Sequence, residues 1–259
     1  MKPILLLPVL LGWVAGLFVN YASDVLPVTR RFSPPACPHC QTPFSWVDYL
    51  TLRACRNCGK GRSLRTWLVQ ILTPASFLYF WLFPSEALGF WLGAIILIYF
   101  GIITVIDLEH RLILHSTSLF GAALGLIVGT YIYNSLLKQS LLVSLWSSAL
   151  GGLIGFGVMF LLYQIGAIVA RYRARRMKAD DGEETLGGGD VYLLGVLGLM
   201  VGSQFIPTVL AWGVILGGLV SLLFIIAILL RRKYSNEALM TFIPYGPYFI
   251  VAAFYTLFI

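Results

Sequence analysis

The stretch GGGDVYLLGVLGLMVGSQFIPTVLAWGVILGGLVSLLFIIAILL, residues 187–230, determines the fold class of this chain. Its only charged residue is Asp190, and the next charge along the chain is Arg231. A membrane-spanning helix needs about 20 apolar residues, so this run is long enough for two spans. An ionisable residue at the mouth of such a segment is costly and is a functional candidate by default.

The composition of the whole chain agrees with this interpretation. Of its 259 residues, 59% are hydrophobic and 11% are charged, whereas soluble domains carry about 25% charged residues. The apolar runs are continuous, unlike the alternating strands of a transmembrane β-barrel. The run from Pro3 to Tyr21 lacks a small-residue cleavage site before a polar chain, so we interpret it as a retained first span.

We therefore predict an all-α polytopic membrane protein with about eight transmembrane helices. The weakest prediction is the second span, which Thr73-Pro74 interrupts, and the fifth is long for a hydrocarbon core of about 30 Å. The predicted spans are 3–22, 66–83, 87–108, 113–134, 141–170, 189–205, 207–230 and 240–258.

Basic residues predict the orientation of these spans. If the N-terminus lies outside, then 16 of the 18 Lys and Arg residues fall in the inside segments, and only Lys2 and Lys138 remain outside. The positive-inside rule thus predicts that the segments 23–65, 109–112, 171–188 and 231–239 face the cytoplasm. The net charge of +7 is then a topology signal and a contact with lipid headgroups. A nucleic-acid partner would require a clustered basic face, and the sequence shows none.

The four cysteines of the chain form two C-x2-C pairs, CPHC and CRNC, within the first cytoplasmic segment. Two such pairs at this spacing are typical of a four-thiolate zinc site, which is structural because no coordination position stays open. His39 can replace one thiolate as a ligand, and four free or redox-active thiols are the alternative. The expected ligands are Cys37, Cys40, Cys55 and Cys58.

Two aspartates lie at span ends on the predicted cytoplasmic side. Asp107 ends the third span and Asp190 begins the sixth. If these spans pack together, the two carboxylates share a poorly hydrated site and one proton, which is the arrangement of aspartic peptidases. Alternatively, Asp190 is a helix N-cap and Asp107 an interfacial charge paired with Arg111. The glycines 187–189 allow an extended peptide to approach the backbone beside Asp190.

Together these motifs resemble the prepilin peptidase family, membrane aspartic peptidases with a G-x-G-D signature. The similar stretches are GLFVNYASDVLP (16–27), the cysteine insert, TVIDLEHRLIL (104–114), GGGDVYLLGVLGLMVG (187–202) and IPYGPYFIVAAF (243–254). The resemblance implies that Asp107 and Asp190 are the catalytic pair and that the four cysteines bind zinc. It also implies substrate-site support from Gly187, Gly189, Asn20, Pro244, Gly246 and Pro247.

The resemblance further implies a reaction and its place. Family members cut the basic leader from type IV prepilins or pseudopilins at the cytoplasmic face of the bacterial inner membrane. Many then methylate the new N-terminus with S-adenosylmethionine. Both activities are used in type IV pili, type II secretion or DNA uptake. The implied regions are the first span 1–22, the zinc insert and methyltransferase region 23–65, and the peptidase core 66–259 with its loop 171–188.

Several positions depart from the family pattern. Leu114-His115 stand where Pro-Asp is usual, and Tyr192 stands where a lysine is usual. Thr66, Trp67 and Gln70 replace a Tyr, a Pro and a Glu at the end of the insert. Because both aspartates are intact, peptidase activity is expected more firmly than methylation. A non-catalytic scaffold or transporter is the alternative from another class. The acidic stretch 179–184 is a candidate contact for a basic leader.

Overall fold

A computed structural model describes residues 2–177, 187–230 and 244–258 of the chain. These residues form eight α-helices, and an isolated β-bridge joins Ala36 to Pro43. The helices are α1 (Lys2–Thr29), α2 (Trp46–Leu50), α3 (Leu64–Leu82), α4 (Gly89–His110), α5 (His115–Ser135), α6 (Leu141–Met177), α7 (Gly188–Leu230) and α8 (Gly246–Phe258).

Among the described residues, five helices are long and apolar enough to cross a membrane. They are the segments Leu5–Thr29, Gly89–His110, His115–Ser135, Leu141–Val169 and Gly188–Ala227. This set fits a multi-pass membrane protein, as predicted. It has three fewer members than the predicted eight spans. The helix α3 is not among the five, the described part of the last span, α8, has 13 residues, and the predicted sixth and seventh spans are counted together as Gly188–Ala227.

The predicted sixth and seventh spans correspond to two helical segments that are joined across a kink and labelled together as α7. This helix has 43 residues and contains Pro207, and its regular dihedral angles are interrupted at Gly202, where φ is +77° and ψ is 175°. Positive φ is accessible to glycine at little cost. A side chain at Gly202 would also overlap the ring of Tyr133. The break therefore occurs at a residue that the packing requires to be glycine.

Side chains from α5 and α6 bind the backbone at this kink. The hydroxyl of Tyr133 accepts a hydrogen bond from the Gln204 N–H at 3.1 Å. The Ser148 hydroxyl donates to the Leu199 carbonyl at 2.6 Å. These partners satisfy backbone groups near a break in the regular helix, as buried polar groups require.

The apolar segment Leu141–Val169 agrees with the predicted fifth span, 141–170, but the helix that carries it is longer. We predicted that it would end at 170 and continue as a loop, but α6 runs on to Met177. Residues 178–186 of that predicted loop, with the acidic stretch 179–184, lie outside the described residues, as do the basic segment 231–239 and the start of the predicted last span.

The helical core divides into two compact units, 1–106 and 107–259. In the first unit, α1 packs on α3 through glycines, since a Cβ at Gly12 would contact Pro74 and a Cβ at Gly16 would contact the Gln70 amide. Ala15, Phe77 and Ala94 form a buried apolar cluster there.

In the second unit, α5, α6 and α7 approach one another backbone to backbone. A Cβ at Gly151 would overlap the Gly198 carbonyl, and one at Gly155 would overlap the Leu194 carbonyl. A Cβ at Gly129 would likewise overlap the Leu199 carbonyl. Small residues at helix contacts are typical of membrane bundles, where van der Waals packing replaces the hydrophobic drive for association.

Candidate active site and cysteine cluster

Asp107 lies in the last turn of α4 and is buried, with 4% of its surface exposed. Its Oδ2 atom is buried and has no hydrogen-bond partner among the described residues. A buried unpartnered carboxylate oxygen is costly unless a ligand or water completes it. None of the ion pairs in the described part of the chain joins Asp107 to Arg111.

Asp190 is the third residue of α7 and is 9% exposed. Its backbone N–H bonds to the Gly187 carbonyl at 3.1 Å, and the helix begins at Gly188. Gly187 is therefore the residue before the helix, and Asp190 lies in the first turn. A carboxylate in the first turn interacts favourably with the helix dipole.

The second unit brings the two aspartates together. Asp107 and Asp190 are close enough for their charges to repel each other. Leu193, one helical turn after Asp190, lies near Gly246, the residue whose added Cβ would contact Asp107. The sequence pattern predicted this meeting only on the condition that the third and sixth spans pack together, and Asp107 and Asp190 both belong to the second unit.

The start of α8 completes the surroundings of Asp107. Gly246 is the first residue of α8, and a Cβ there would overlap the Asp107 carboxylate and approach Leu193. Pro247 occupies the first turn, where a missing N–H costs no helical hydrogen bond. Pro244 immediately precedes this turn. The predicted last-span motif thus packs against Asp107 through Gly246.

The glycines before Asp190 differ in their surroundings. A Cβ at Gly189 would lie 2.8 Å from the Ile113 Cβ and 3.3 Å from the Ile113 nitrogen. A Cβ at Gly188 would meet open space, and one at Gly187 would meet only Asp190 Oδ2, at 4.0 Å. Gly189 therefore allows α7 to approach the α4–α5 connection, while the two preceding glycines leave space beside the carboxylate.

Two positions that depart from the family pattern contact each other. The ring of His115, at the start of α5, lies edge-on to the ring of Tyr192, with centroids 5.9 Å apart. Phe156 of α6 lies against the other side of Tyr192 at 6.0 Å. The sequence indicated His115 and Tyr192 separately. It carried no signal for Phe156, because contacts between helices do not follow from spacing along one chain.

The four cysteines lie in the first unit and form the predicted cluster. Their sulfurs all lie within 4.8 Å of one another, with 3.7 Å between Cys37 and Cys58 and 3.6 Å between Cys40 and Cys55. These separations are longer than a disulfide bond, and the thiols are free. Four converging sulfurs of this kind can hold a metal ion. His39 lies outside the cluster, with its Nδ1 3.4 Å from the Lys60 Nζ.

Hydrogen bonds prepare two of these thiols for metal binding. The hydroxyl and then the backbone N–H of Thr42 lower the pKa of Cys40 to about 6. The backbone N–H groups of Cys58 and Asn57 lower the pKa of Cys55. The Lys60 N–H also favours the Cys58 thiolate, but desolvation and the three neighbouring sulfurs raise the pKa of Cys58 to about 11. Four thiolates at this distance therefore need a cation.

A polar network surrounds Asn20 in the same unit. The buried Asn20 donates to the Thr66 carbonyl at 3.2 Å and to Gln70 Oε1 at 3.4 Å, and accepts from Arg65 at 3.0 Å. Gln70 donates to the Trp13 carbonyl at 2.8 Å. The predicted site residue Asn20 thus joins α1 to α3, and its structural contacts are within the first unit.

Known proteins resemble the chain in sequence. Residues 91–222 match the model of a family described as the type IV leader peptidase family. This range contains both aspartates and the three glycines, and it excludes the cysteine cluster. No solved structure matches the chain significantly.

Curated relatives cover most of the chain. A prepilin leader peptidase/N-methyltransferase of Aeromonas hydrophila is 29% identical over 90% of this chain and 74% of its own length. The protein of the same name from Pectobacterium carotovorum subsp. carotovorum is 27% identical over 84% of this chain and 71% of its own. A type 4 prepilin-like proteins leader peptide-processing enzyme of an Escherichia coli strain is 32% identical over 67% of this chain and 60% of its own length.

Proposed function

Since the chain belongs to the type IV leader peptidase family and is therefore a peptidase, we propose that it removes the leader from type IV prepilins or pseudopilins. The relatives that cover most of its length carry the name of prepilin leader peptidase. The cleaved bond then joins a basic leader to the apolar segment of the substrate. The distribution of basic residues supports a cytoplasmic active site in the inner membrane.

The single observation that carries the proposal is the pair of buried carboxylates, Asp107 and Asp190, at two helix ends. Two close carboxylates share one proton, because both cannot be charged at low cost. The charged carboxylate accepts a proton from water, and the resulting hydroxide attacks the scissile carbonyl. The protonated carboxyl donates a hydrogen bond to the carbonyl oxygen. When the C–N bond breaks, the leaving amine takes a proton from the dyad.

The glycines and α8 support this site in the proposal. Gly187 and Gly188 leave room for an extended peptide beside Asp190. Gly246 holds the backbone of α8 against Asp107, and Pro244 and Pro247 fix the start of that helix. Asn20 supports the substrate site indirectly, by fixing α1 on α3.

The proposed topology has eight crossings. At 1.5 Å per residue, α7 is roughly 65 Å long, about twice the hydrocarbon thickness of a bilayer. The break at Gly202 then separates two spans. In this topology 1–22 is the first span, 23–65 is the cytoplasmic insert and 66–259 is the peptidase core.

The proposed metal is one structural zinc ion held by Cys37, Cys40, Cys55 and Cys58. A four-thiolate zinc ion supplies folding free energy and has no open position for a substrate. The surrounding insert is anchored by Asp48, which forms an ion pair with Arg56 at 2.7 Å. The Arg62 guanidinium lies 4.1 Å from the Phe44 ring centroid and 4.3 Å from that of Tyr49.

N-methylation of the new N-terminus with S-adenosylmethionine is the second proposed activity. It rests on the cysteine insert and on the double name of the relatives. A peptidase without methylase activity is the alternative, since Gln70 is engaged in the contacts of α1 with α3. Mass spectrometry of the mature product decides between them: a mass increase of one methyl group is expected, and an unmodified amine would remove this activity.

The peptidase proposal is tested by cleavage of a panel of prepilins in membranes. Wild type is expected to cut after the leader, and Asp107→Asn and Asp190→Asn are each expected to abolish cleavage. Glu109→Gln is the matched control, because this exposed acid lies two residues after Asp107 on the same helix. Full cleavage by either aspartate variant would refute the dyad. A folded wild type that cuts no prepilin would favour the non-catalytic scaffold.

A further inference from the structure

The short helix α2 of the cysteine insert presents its apolar side outward. Trp46 and Val47 are 49% and 63% exposed, and Leu50 of the same side is exposed as well. The opposite side carries Asp48 and Tyr49, which are both buried. A helix on the surface of a soluble domain turns its apolar side toward the core. The orientation of α2 is the reverse, and it fits a helix that contacts an apolar medium.

Charged groups of the insert lie on the inner side of α2. The carboxylate of Asp48 forms an ion pair there with Arg56, with Nε and Oδ2 2.7 Å apart. The Arg62 guanidinium lies over the rings of Phe44 and Tyr49. The insert therefore buries charges behind α2 while it exposes large apolar side chains in front of it.

An aromatic cluster joins the outer side of α2 to α1. The ring centroid of Trp46 lies 5.3 Å from that of Tyr21 in α1, and the centroid of Phe32 lies 6.2 Å from that of Tyr21. The Tyr21 hydroxyl donates to the Ser33 carbonyl at 2.8 Å, which holds the chain after α1 against the helix. Phe32 is 67% exposed. We give the name insert apolar face to the exposed side chains of Phe32, Trp46, Val47 and Leu50.

The position of Tyr21 along α1 places the insert apolar face at the edge of the membrane. The apolar segment of α1 begins at Leu5, and about 20 helical residues cross the hydrocarbon core of a bilayer. A span that begins at Leu5 therefore ends close to Asp24, which forms an ion pair with Arg65. Tyr21 lies one turn before this ion pair, at the level where Tyr and Trp are enriched in membrane proteins. The rings that contact Tyr21 share this level.

Helix α3 gives a second indication of the same level. The Thr66 carbonyl accepts a hydrogen bond from Asn20, the residue before Tyr21. Trp67 follows Thr66 and is exposed. An exposed Trp on α3 thus lies at about the height of the Tyr21 cluster, as expected for aromatic residues at one membrane–water interface.

Arginines flank the insert apolar face. Arg30 and Arg31 immediately precede Phe32, and Arg53 lies three residues after Leu50. All three arginines are exposed. Apolar side chains with basic residues beside them are typical of segments that lie in the membrane interface on anionic lipids. The same charge disfavours a second copy of this chain as the occupant, because the net charge of each copy is +7.

We propose that the insert apolar face lies in the interfacial region of the bilayer, among anionic phospholipid headgroups, and attaches the cysteine insert to the membrane that α1 crosses. This inference goes beyond the proposed function, because it concerns a lipid-binding surface and requires no cleavage. The cysteine cluster then lies beside the membrane surface and not on a domain that is free in solution.

Photo-crosslinking in the full chain tests the proposal. A photoreactive amino acid replaces Val47 or, as the control, Asn57, and the protein is reconstituted in vesicles of phosphatidylcholine and phosphatidylglycerol. Asn57 is exposed and follows Arg56, which contacts Asp48 on the inner side of α2. Mass spectrometry is expected to find lipid adducts at position 47 and a large loss of them at position 57. Equal lipid adducts at the two positions, or crosslinks from position 47 only to a second copy of the chain, would overturn the proposal.

Fluorescence quenching measures the depth of Trp46 without a change in the insert of the wild-type protein. The difference in emission between wild type and Trp46→Phe reports Trp46, and lipids brominated at a chosen acyl carbon quench a nearby Trp. Bromines close to the headgroup are expected to quench this difference more strongly than bromines at the chain end. No quenching, or stronger quenching from the chain end, would contradict an interfacial position.

The charge of the lipid is tested with the photoreactive group at position 47. The double variant Arg30→Gln, Arg31→Gln is expected to lower the ratio of phosphatidylglycerol to phosphatidylcholine adducts several-fold, because each arginine near an anionic surface contributes to binding. Lys138→Gln removes an exposed charge outside the insert and is expected to leave the ratio unchanged. A ratio that does not respond to the arginines would overturn the assignment of anionic headgroups.

Discussion

The Asn20–Gln70 network of the first unit and the Asp107–Asp190 pair of the second unit differ in how their buried polar groups are hydrogen-bonded. In the first unit, Asn20 and Gln70 find partners in backbone carbonyls and in each other. In the second unit, Asp107 keeps a buried oxygen without a partner in the described structure, close to a second buried carboxylate. Because buried polar groups are normally hydrogen-bonded, the first arrangement is expected for a structural network and the second for a site that awaits a substrate.

Two groups of the first unit need separate explanation. Ser23 Oγ and two nitrogens of Arg62 are buried without hydrogen-bond partners in the described part of the chain. The Arg62 guanidinium lies over two aromatic rings, and such cation–π contacts contribute about 0.5–2 kcal/mol. Nothing in the structure explains why Ser23 Oγ is buried without a hydrogen-bond partner among the described residues. The comparison therefore concerns the Asn20–Gln70 network and the Asp107–Asp190 pair, and it does not extend to every buried polar group of the two units.

The largest expected effect concerns the metal of the first unit. The double variant Cys37→Ser, Cys58→Ser is expected to lose zinc from about one ion per chain to nearly none, because a four-thiolate site needs all its ligands. Structural zinc sites supply roughly 10–16 kcal/mol of binding free energy. Metal analysis and hydrogen exchange of residues 35–60 measure the loss of zinc and of local protection.

His39→Ala is the matched control for this experiment. It changes an exposed residue between the first two cysteines but leaves the four sulfurs intact. Its zinc content is expected to equal that of wild type. An unchanged zinc content in the double variant would show that these cysteines do not form the metal site.

The next effect concerns the backbone beside Asp107. Gly246→Ala is expected to lower the rate of prepilin cleavage by about 100-fold, since displacing a catalytic group by about 1 Å can have this effect. Its Cβ would overlap the carboxylate. Alanine is the better helix former, so any loss in the free energy of unfolding comes from the overlap with Asp107 and not from the helix itself. Cleavage kinetics and thermal unfolding in detergent separate the two quantities, and wild-type activity would contradict the described contact.

A smaller difference is expected between the two signature glycines. Gly189→Ala forces Ile113 and its backbone to move, whereas Gly187→Ala has space. Overpacking costs about 1–3 kcal/mol, so Gly189→Ala is expected to lower the free energy of unfolding and to slow cleavage by roughly tenfold. Gly187→Ala is expected to stay near wild type in both. Equal losses in the two variants would show that the substrate, rather than Ile113, requires these glycines.

The sequence predicted the sulfur cluster more directly than the packing of the helices. The C-x2-C spacing gave the sulfur cluster, because ligand geometry is local. The proximity of Asp107 and Asp190 required α4 and α7 to pack together, which spacing alone left conditional. Gly202 gave no signal of a kink, since an isolated glycine in an apolar run is common and its φ depends on Tyr133 of another helix. The helix α6 continues to Met177 through basic residues. Because these residues have low hydropathy, the sequence predicted that the span ends before them.

The smallest expected effect tests whether the second unit also depends on paired polar groups away from its site. Tyr133→Phe removes the acceptor of the Gln204 N–H at the α7 kink and leaves a donor without that partner, at a cost of about 1–2 kcal/mol. Tyr131→Phe, on the same helix and 49% exposed, is expected to change the free energy of unfolding by less. Thermal unfolding in one detergent compares the two. If both variants unfold like wild type, the kink is fixed by Gly202 and the Tyr133 ring alone. If Tyr133→Phe alone is less stable, the hydrogen bond from the Gln204 N–H contributes to the stability of the kink, and paired polar groups support the second unit as they support the first.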